Sequence, residues 1–135
     1  MSNSKDRDLF LLVQSYFKDH LTKVQGASRH TIIAYRDAAR LFLQFLADTR
    51  GCSVSELCLD DIVVQRVLEF LDYLESRRNN TISTRNCRLA AVRSLAGHLL
   101  RQDPTRAAQY HRILSLRSKK TGRTAVSYLE PVNIR

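Results

Sequence analysis

Arg29, Arg36 and Arg40 stand seven and four residues apart. On a helix turning 100° per residue, that spacing puts them within ~40° of one another. Three guanidinium groups in one row can pair with successive phosphates, or take a guanine edge through two hydrogen bonds. Ile33 and Gln44 share this face, opposite the apolar stripe that contains Phe42, and Asp37 lies nearby as a counterion should the face be merely solvated. A second cluster reads Thr81-Ile82-Ser83-Thr84-Arg85-Asn86-Cys87-Arg88 and continues to Arg93 and Arg101. At the start of a helix, such hydroxyls and cations crowd the free backbone N–H groups and the positive end of the dipole, where phosphate is favoured. Arg85, Arg88 and Arg93 therefore read as nucleic-acid contacts, although Arg88 and Arg93 flank an apolar arc and could instead be snorkelling stems. Asn86, Ala90, Ser94 and Gly97 give one side of the same helix only small residues. Either a DNA backbone or another helix could approach there, and for Ala90 and Gly97 helix packing is the favoured reading.

Five helical segments are expected to carry these residues. The first runs from about Asp6 to Val24 and buries Leu9, Leu12, Val13, Tyr16, Phe17, His20 and Val24 at i, i+3, i+4 spacing. Ser28 caps a second that reaches about Thr49, with Ala34, Tyr35, Ala38, Leu41, Phe42, Phe45 and Leu46 inward and Arg50-Gly51 as its stop. Asp60 or Asp61 is expected to cap a third, ending near Glu75, with Val63, Val64, Val67, Phe70, Leu71 and Leu74 buried. A fourth opens at Thr81 or Ser83 and runs to about Gln102, turning Leu89, Val92, Leu95, Ala96 and Leu99 inward. Asp103-Pro104, a cap followed by proline at the first helical position, starts a fifth that ends near Leu116. The expected fold is an all-α, compact bundle of four to five helices. Helices two and four open alike, with Ser28-x-x-Thr31 before Tyr35-Arg36 and Thr81-x-x-Thr84 before Arg85. Two such helices can straddle one groove.

Charge points the same way. From Arg77 to Arg135 the chain carries thirteen Lys/Arg against two acidic residues, whereas the first 76 residues carry nine against eleven, so the C-terminal part holds the whole excess of the +9 total. A field so lopsided suits a polyanionic partner. Three cysteines (Cys52, Cys58, Cys87) without a C-x2-C pair, and only four histidines, provide no metal-ligand spacing and read as reduced thiols. No apolar run approaches the ~20 residues that span a bilayer. The polar N-terminus lacks a signal-peptide pattern, which makes a cytoplasmic protein the expectation.

The order of these features carries a family resemblance. Ser28-x2-Thr31-x3-Tyr35-Arg36, the run Leu41-Phe42-Leu43-Gln44-Phe45-Leu46, and then Thr84-x3-Arg88-Leu89-Ala90-Ala91-Val92-Arg93-Ser94-Leu95 resemble the core-binding domain of tyrosine recombinases (phage integrases). That domain is SAM-like and helical, and it precedes the family's catalytic domain. Asp103-Pro104 stands where the family often has Asn-Pro, a departure that keeps cap and proline. Lys119-Lys120-Thr121-Gly122-Arg123, followed by Tyr128-Leu129-Glu130-Pro131, resembles the interdomain linker and the entry to the catalytic domain. The likeness extends from about Leu9 to Pro131.

The resemblance implies a binding domain over residues 1–116 and, over 117–135, a basic linker with the start of an absent catalytic domain. It implies double-stranded DNA as partner, with helices two and four in or across the major groove of a recombination half-site, and other recombinase protomers in the full-length protein. Neither a membrane nor a small-molecule substrate is implied, and no cofactor, because the family's tyrosine attacks a phosphodiester without metal or ATP. The DNA-binding residues would be Ser28, Arg29, Thr31, Arg36, Arg40, Thr84, Arg85, Arg88, Arg93, Lys119, Lys120 and Arg123. His98-x-x-Arg101 spells the family's catalytic H-x-x-R but sits mid-helix in the wrong domain, and Tyr128 comes too early to be the nucleophile; both read as packing residues. On this reading the chain binds DNA and cuts nothing. Three rivals remain: a free-standing helix-turn-helix regulator, for which the connectors at 51–59 and 77–83 are long; a basic helical adaptor for an acidic protein; and a complete enzyme built on His98 and Arg101.

Overall fold

The computed structural model describes residues 2–23 and 28–120, with side chains from Leu9 onward. Helix α1 (Ser2–Ser15) passes directly into a π turn (Tyr16–His20) and a 3-10 turn (Leu21–Lys23). The sequence pattern led to the expectation of one regular helix through this stretch. The i→i+5 spacing of a π turn brings residues five apart onto one side, and Tyr16 and Leu21, five apart, are both fully buried. Regular α geometry would have turned one of them away from the core.

Helix α2 (Arg29–Arg50) starts at Ser28, whose hydroxyl accepts from the Thr31 backbone N–H at 3.1 Å. It stops at Gly51, whose φ of 78° is the left-handed C-terminal geometry that favours glycine. Its buried stripe is Ala38, Ala39, Phe42, Leu43, Leu46 and Ala47. The connector contains two 3-10 turns, Val54–Glu56 and Leu59–Asp61. Asp61 does not cap α3 (Val64–Ser76) as the sequence suggested. Its carboxylate accepts from Cys58 N–H and from Arg50, each at 2.9 Å, and so closes the 3-10 turn onto the end of α2. This irregular stretch is tied to α5, where the Gln109 side-chain amide donates to the carbonyls of Leu59 and Ile62.

Helix α4 (Ile82–Gln102) begins at Thr81, whose hydroxyl accepts from Thr84 N–H at 3.1 Å, a repeat of the Ser28 cap. Asp103-Pro104 opens one 3-10 turn (Pro104–Arg106) before α5 (Ala107–Leu114), not the α-helix directly. The Asp103 carboxylate accepts from Thr105, Arg106 and Tyr110 and ties that corner together. Burial alone would raise the Asp103 pKa, but these three hydrogen bonds outweigh it and hold the carboxyl below its ordinary range.

Helix α4 is the axis of the bundle, with α2, α3, α5 and α1 all packed against it. Its buried residues, Leu89, Ala91, Val92, Leu95, Ala96, His98 and Leu99, take up one half of its circumference, and from Arg88 to Leu100 no residue is fully exposed. Phe42 of α2 meets Phe70 of α3 edge-on at 5.1 Å between ring centres, and Phe45 packs on Tyr73 at 5.0 Å. No strand occurs among the described residues, so the fold is the all-α bundle the periodicity predicts.

Candidate nucleic-acid interface

The N-terminal halves of α2 and α4 lie side by side. Between them runs a groove of about 420 Å³ lined by Ala34 and Asp37 from α2 and by Ser83, Thr84, Cys87 and Arg88 from α4. Ser28, Arg29 and Arg40 are exposed on α2, Thr31 and Arg36 partly so, and Ile33 is 45% exposed among them. Arg29 and Arg36 have no carboxylate partner among the described residues. Arg40 is drawn aside, with its guanidinium carbon 5.8 Å from the centre of the Phe17 ring, a cation–π contact with the π turn.

The arginines of α4 are less available. Arg88 lines the groove, but donates to the Asn80 side chain at 2.7 Å. Arg85 turns inward. Its side chain is only 12% exposed, Nε lies 3.4 Å from Glu75 of α3 as an ion pair without a hydrogen bond, and a terminal nitrogen donates to Asn86. The sequence held a sign of this, because Leu89, Val92, Ala96 and Leu99 follow Arg85 at four, seven, eleven and fourteen residues and are all buried. Arg93 buries its Nε with no hydrogen-bond partner among the described residues, as a stem packed along the bundle would. Thr84 is exposed at the first turn.

Lys119 is also engaged. Its ammonium sits 3.0 Å from both carboxylate oxygens of Glu75, and its backbone N–H and carbonyl each bond the Asn86 side chain, at 2.9 and 2.7 Å. Lys120 is exposed, and Arg123 lies outside the described residues. This clasp answers what covers the small side of α4. Gly97 has Leu114 of α5 within 4.0 Å of where a β-carbon would stand, Ser94 accepts from Tyr16, and Asn86 receives Lys119. The side is filled by the protein's own chain. Sequence reasoning placed Asn86 on the small side of α4 and Glu75 at the end of α3 but missed that both bind Lys119, which lies 44 residues from Glu75 and 33 from Asn86. It also passed over Arg77 and Arg78, which are exposed in the turn leading to the Thr81 cap.

His98 and Arg101 do not form an open site. His98 is 5% exposed and bonds Ser15 at 2.7 Å, while Arg101 reaches the His20 ring. The two imidazoles meet tilted by 38°, with ring centres 5.3 Å apart. Burial, and then the Arg101 charge, holds the His20 pKa below the ordinary histidine value. Burial, and then the charges of His20 and Arg101, does the same for His98. Cys52, Cys58 and Cys87 are free thiols, and no group of three or more metal-ligating side chains converges among the described residues. No described helix is long and apolar enough to cross a membrane.

The family model described as "Phage integrase, N-terminal SAM-like domain" matches residues 14–103. Among curated proteins, the chain is similar to "Putative integrase/recombinase y4rD" of Sinorhizobium fredii, with 40% identity over 81% of this chain and 39% of that protein. It is also similar to "Putative integrase/recombinase y4rC" of the same organism, with 34% identity over 93% of this chain and 38% of that protein. The chain therefore spans about two-fifths of the length of these relatives. No solved structure matches it significantly.

Proposed function

The chain belongs to the phage integrase N-terminal SAM-like domain family, and from that premise we propose that it is the DNA-binding domain of a site-specific tyrosine recombinase. It grips a recombination half-site through α2 and the first turns of α4. Residues 1–116 form the binding unit, and residues 117–135 are the basic linker and the start of the catalytic domain. The chain itself binds double-stranded DNA without cutting it. The parent performs strand exchange together with other protomers.

One observation carries this reading most directly: two helices that open on the same hydroxyl cap lie side by side across a groove that Arg88 lines, and Arg29 and Arg36 of the first have no carboxylate partner among the described residues. Backbone N–H groups at both helix starts and guanidinium groups on the same side suit a phosphate backbone. Ser28, Arg29, Thr31, Arg36, Arg40, Thr84, Arg88 and Lys120 are the contacts proposed. Arg85 and Lys119 spend their charge on Glu75 and act through the bundle and the linker, and Arg93 serves as a packed stem.

Fluorescence anisotropy with a labelled duplex tests the proposal. The Arg36→Glu, Arg40→Glu double variant should lose several kcal/mol of affinity at low salt, on the order of a hundredfold. Unchanged affinity would remove α2 from the interface. Equal salt-sensitive binding to an acidic protein and to duplex would favour the adaptor.

A further inference from the structure

Asp37 is an unexpected residue for a surface that meets a polyanion. It is exposed in the groove between α2 and α4, in company with Ser83, Thr84 and Arg88. It follows Arg36 directly and precedes Arg40 by one turn, yet it makes no ion pair or hydrogen bond with any described residue. It does not serve as the counterion the sequence suggested. A carboxylate left open beside three arginines repels phosphate and weakens sequence-independent affinity.

An ionised carboxylate can only accept hydrogen bonds. In the major groove the available donors are the exocyclic amino groups of cytosine and adenine. Adenine sets its amino group beside N7, an acceptor that a carboxylate would repel, whereas cytosine offers N4–H₂ without one. The guanine paired with that cytosine presents O6 and N7, the edge an arginine takes with two hydrogen bonds, and Arg88 lines the same groove. Resting on the DNA-binding reading above, we infer that Asp37 is a specificity residue that accepts from a cytosine amino group, with Arg88 beside it for guanine. The groove thereby selects a G·C pair in a fixed orientation. The carboxylate gives up affinity for all DNA in exchange for preference at one position.

The test is selection from a random-sequence duplex pool, run with the 135-residue chain and with its Asp37→Asn variant. Asn is close in shape, and the site is exposed, so the variant should keep the parent's thermal midpoint. The unaltered chain should enrich duplexes with cytosine required at one position. Asp37→Asn should lose about tenfold discrimination there, the effect of one base contact, and should bind random duplex more tightly. If the variant enriches the same cytosine with the same discrimination, the Asp37 assignment is overturned while DNA binding stands. If the unaltered chain binds no duplex at all, the functional reading fails and this inference falls with it.

Discussion

Lys119 and Lys120 are adjacent, carry the same formal charge, and stand in opposite circumstances. Lys119 is held by both oxygens of Glu75, whereas Lys120 is exposed. A cation already paired releases little on meeting phosphate, because one counter-charge is exchanged for another. Lys120→Gln should therefore lower the slope of log affinity against log salt by about one, the effect of a single phosphate contact. Lys119→Gln should lower it by much less. Titrations between low and physiological salt measure both, and equal slopes for the two variants would show that Glu75 does not hold Lys119 in solution. Arg36 and Arg85 make a similar contrast within the bundle, one without a carboxylate partner among the described residues and the other with Glu75. Formal charge counted along a sequence says nothing of this difference.

Between elements, Asn86 sets where the chain leaves the bundle. Its amide bonds both the N–H and the carbonyl of Lys119, much as a neighbouring strand would, and Glu75 on α3 holds the side chain of the same residue. Asn86→Ala removes both backbone bonds from a site at the surface, so the core should keep its stability. Trypsin should then cut faster after Arg117, Lys119 and Lys120, as followed by mass spectrometry over a time course. Cleavage at the parent rate would mean that the clasp does not restrain the segment. The caps were easier to foresee than the clasp. Ser28 and Thr81 act on residues three positions ahead, inside the window that spacing rules describe. Asp61 misled for the converse reason: an aspartate before an apolar run is a good cap, but here it serves the preceding turn and Arg50.

At the scale of the whole molecule, the seam between the π turn and α4 makes stability depend on pH. His20 and His98 both have depressed pKa values in the folded protein, so below about 6.5 the unfolded chain binds more protons than the folded one. The stability contributed is present above that pH and is lost as pH falls through it toward the lower folded values. The thermal midpoint should drop between pH 7.5 and pH 5.0, and His98→Gln should flatten the drop. A pH-independent midpoint would mean that the two rings are not closed off from solvent. Asp103 acts in a separate window, below the ordinary carboxyl range. The bundle was legible in the sequence because four apolar stripes repeat at helical spacing, from Phe42 and Leu46 to Leu95 and Leu99, and a cap with proline marks the fifth helix. The orientation of the arginines was not, because helical spacing ranks the faces of a single helix and leaves open which neighbour covers each face. For α4 nearly every face is covered.

That enclosure has a consequence for recognition. The first turns of α4, which offer Ser83, Thr84 and Cys87 to the groove, begin a rod that packs against four other helices. A ligand arriving there meets backbone that is already rigid, so the entropy lost on docking falls mainly on a few arginine side chains. Association should then proceed nearly as a rigid-body fit, with the Arg40 guanidinium leaving the Phe17 ring and that of Arg88 leaving the Asn80 side chain as the rearrangements it has to wait for.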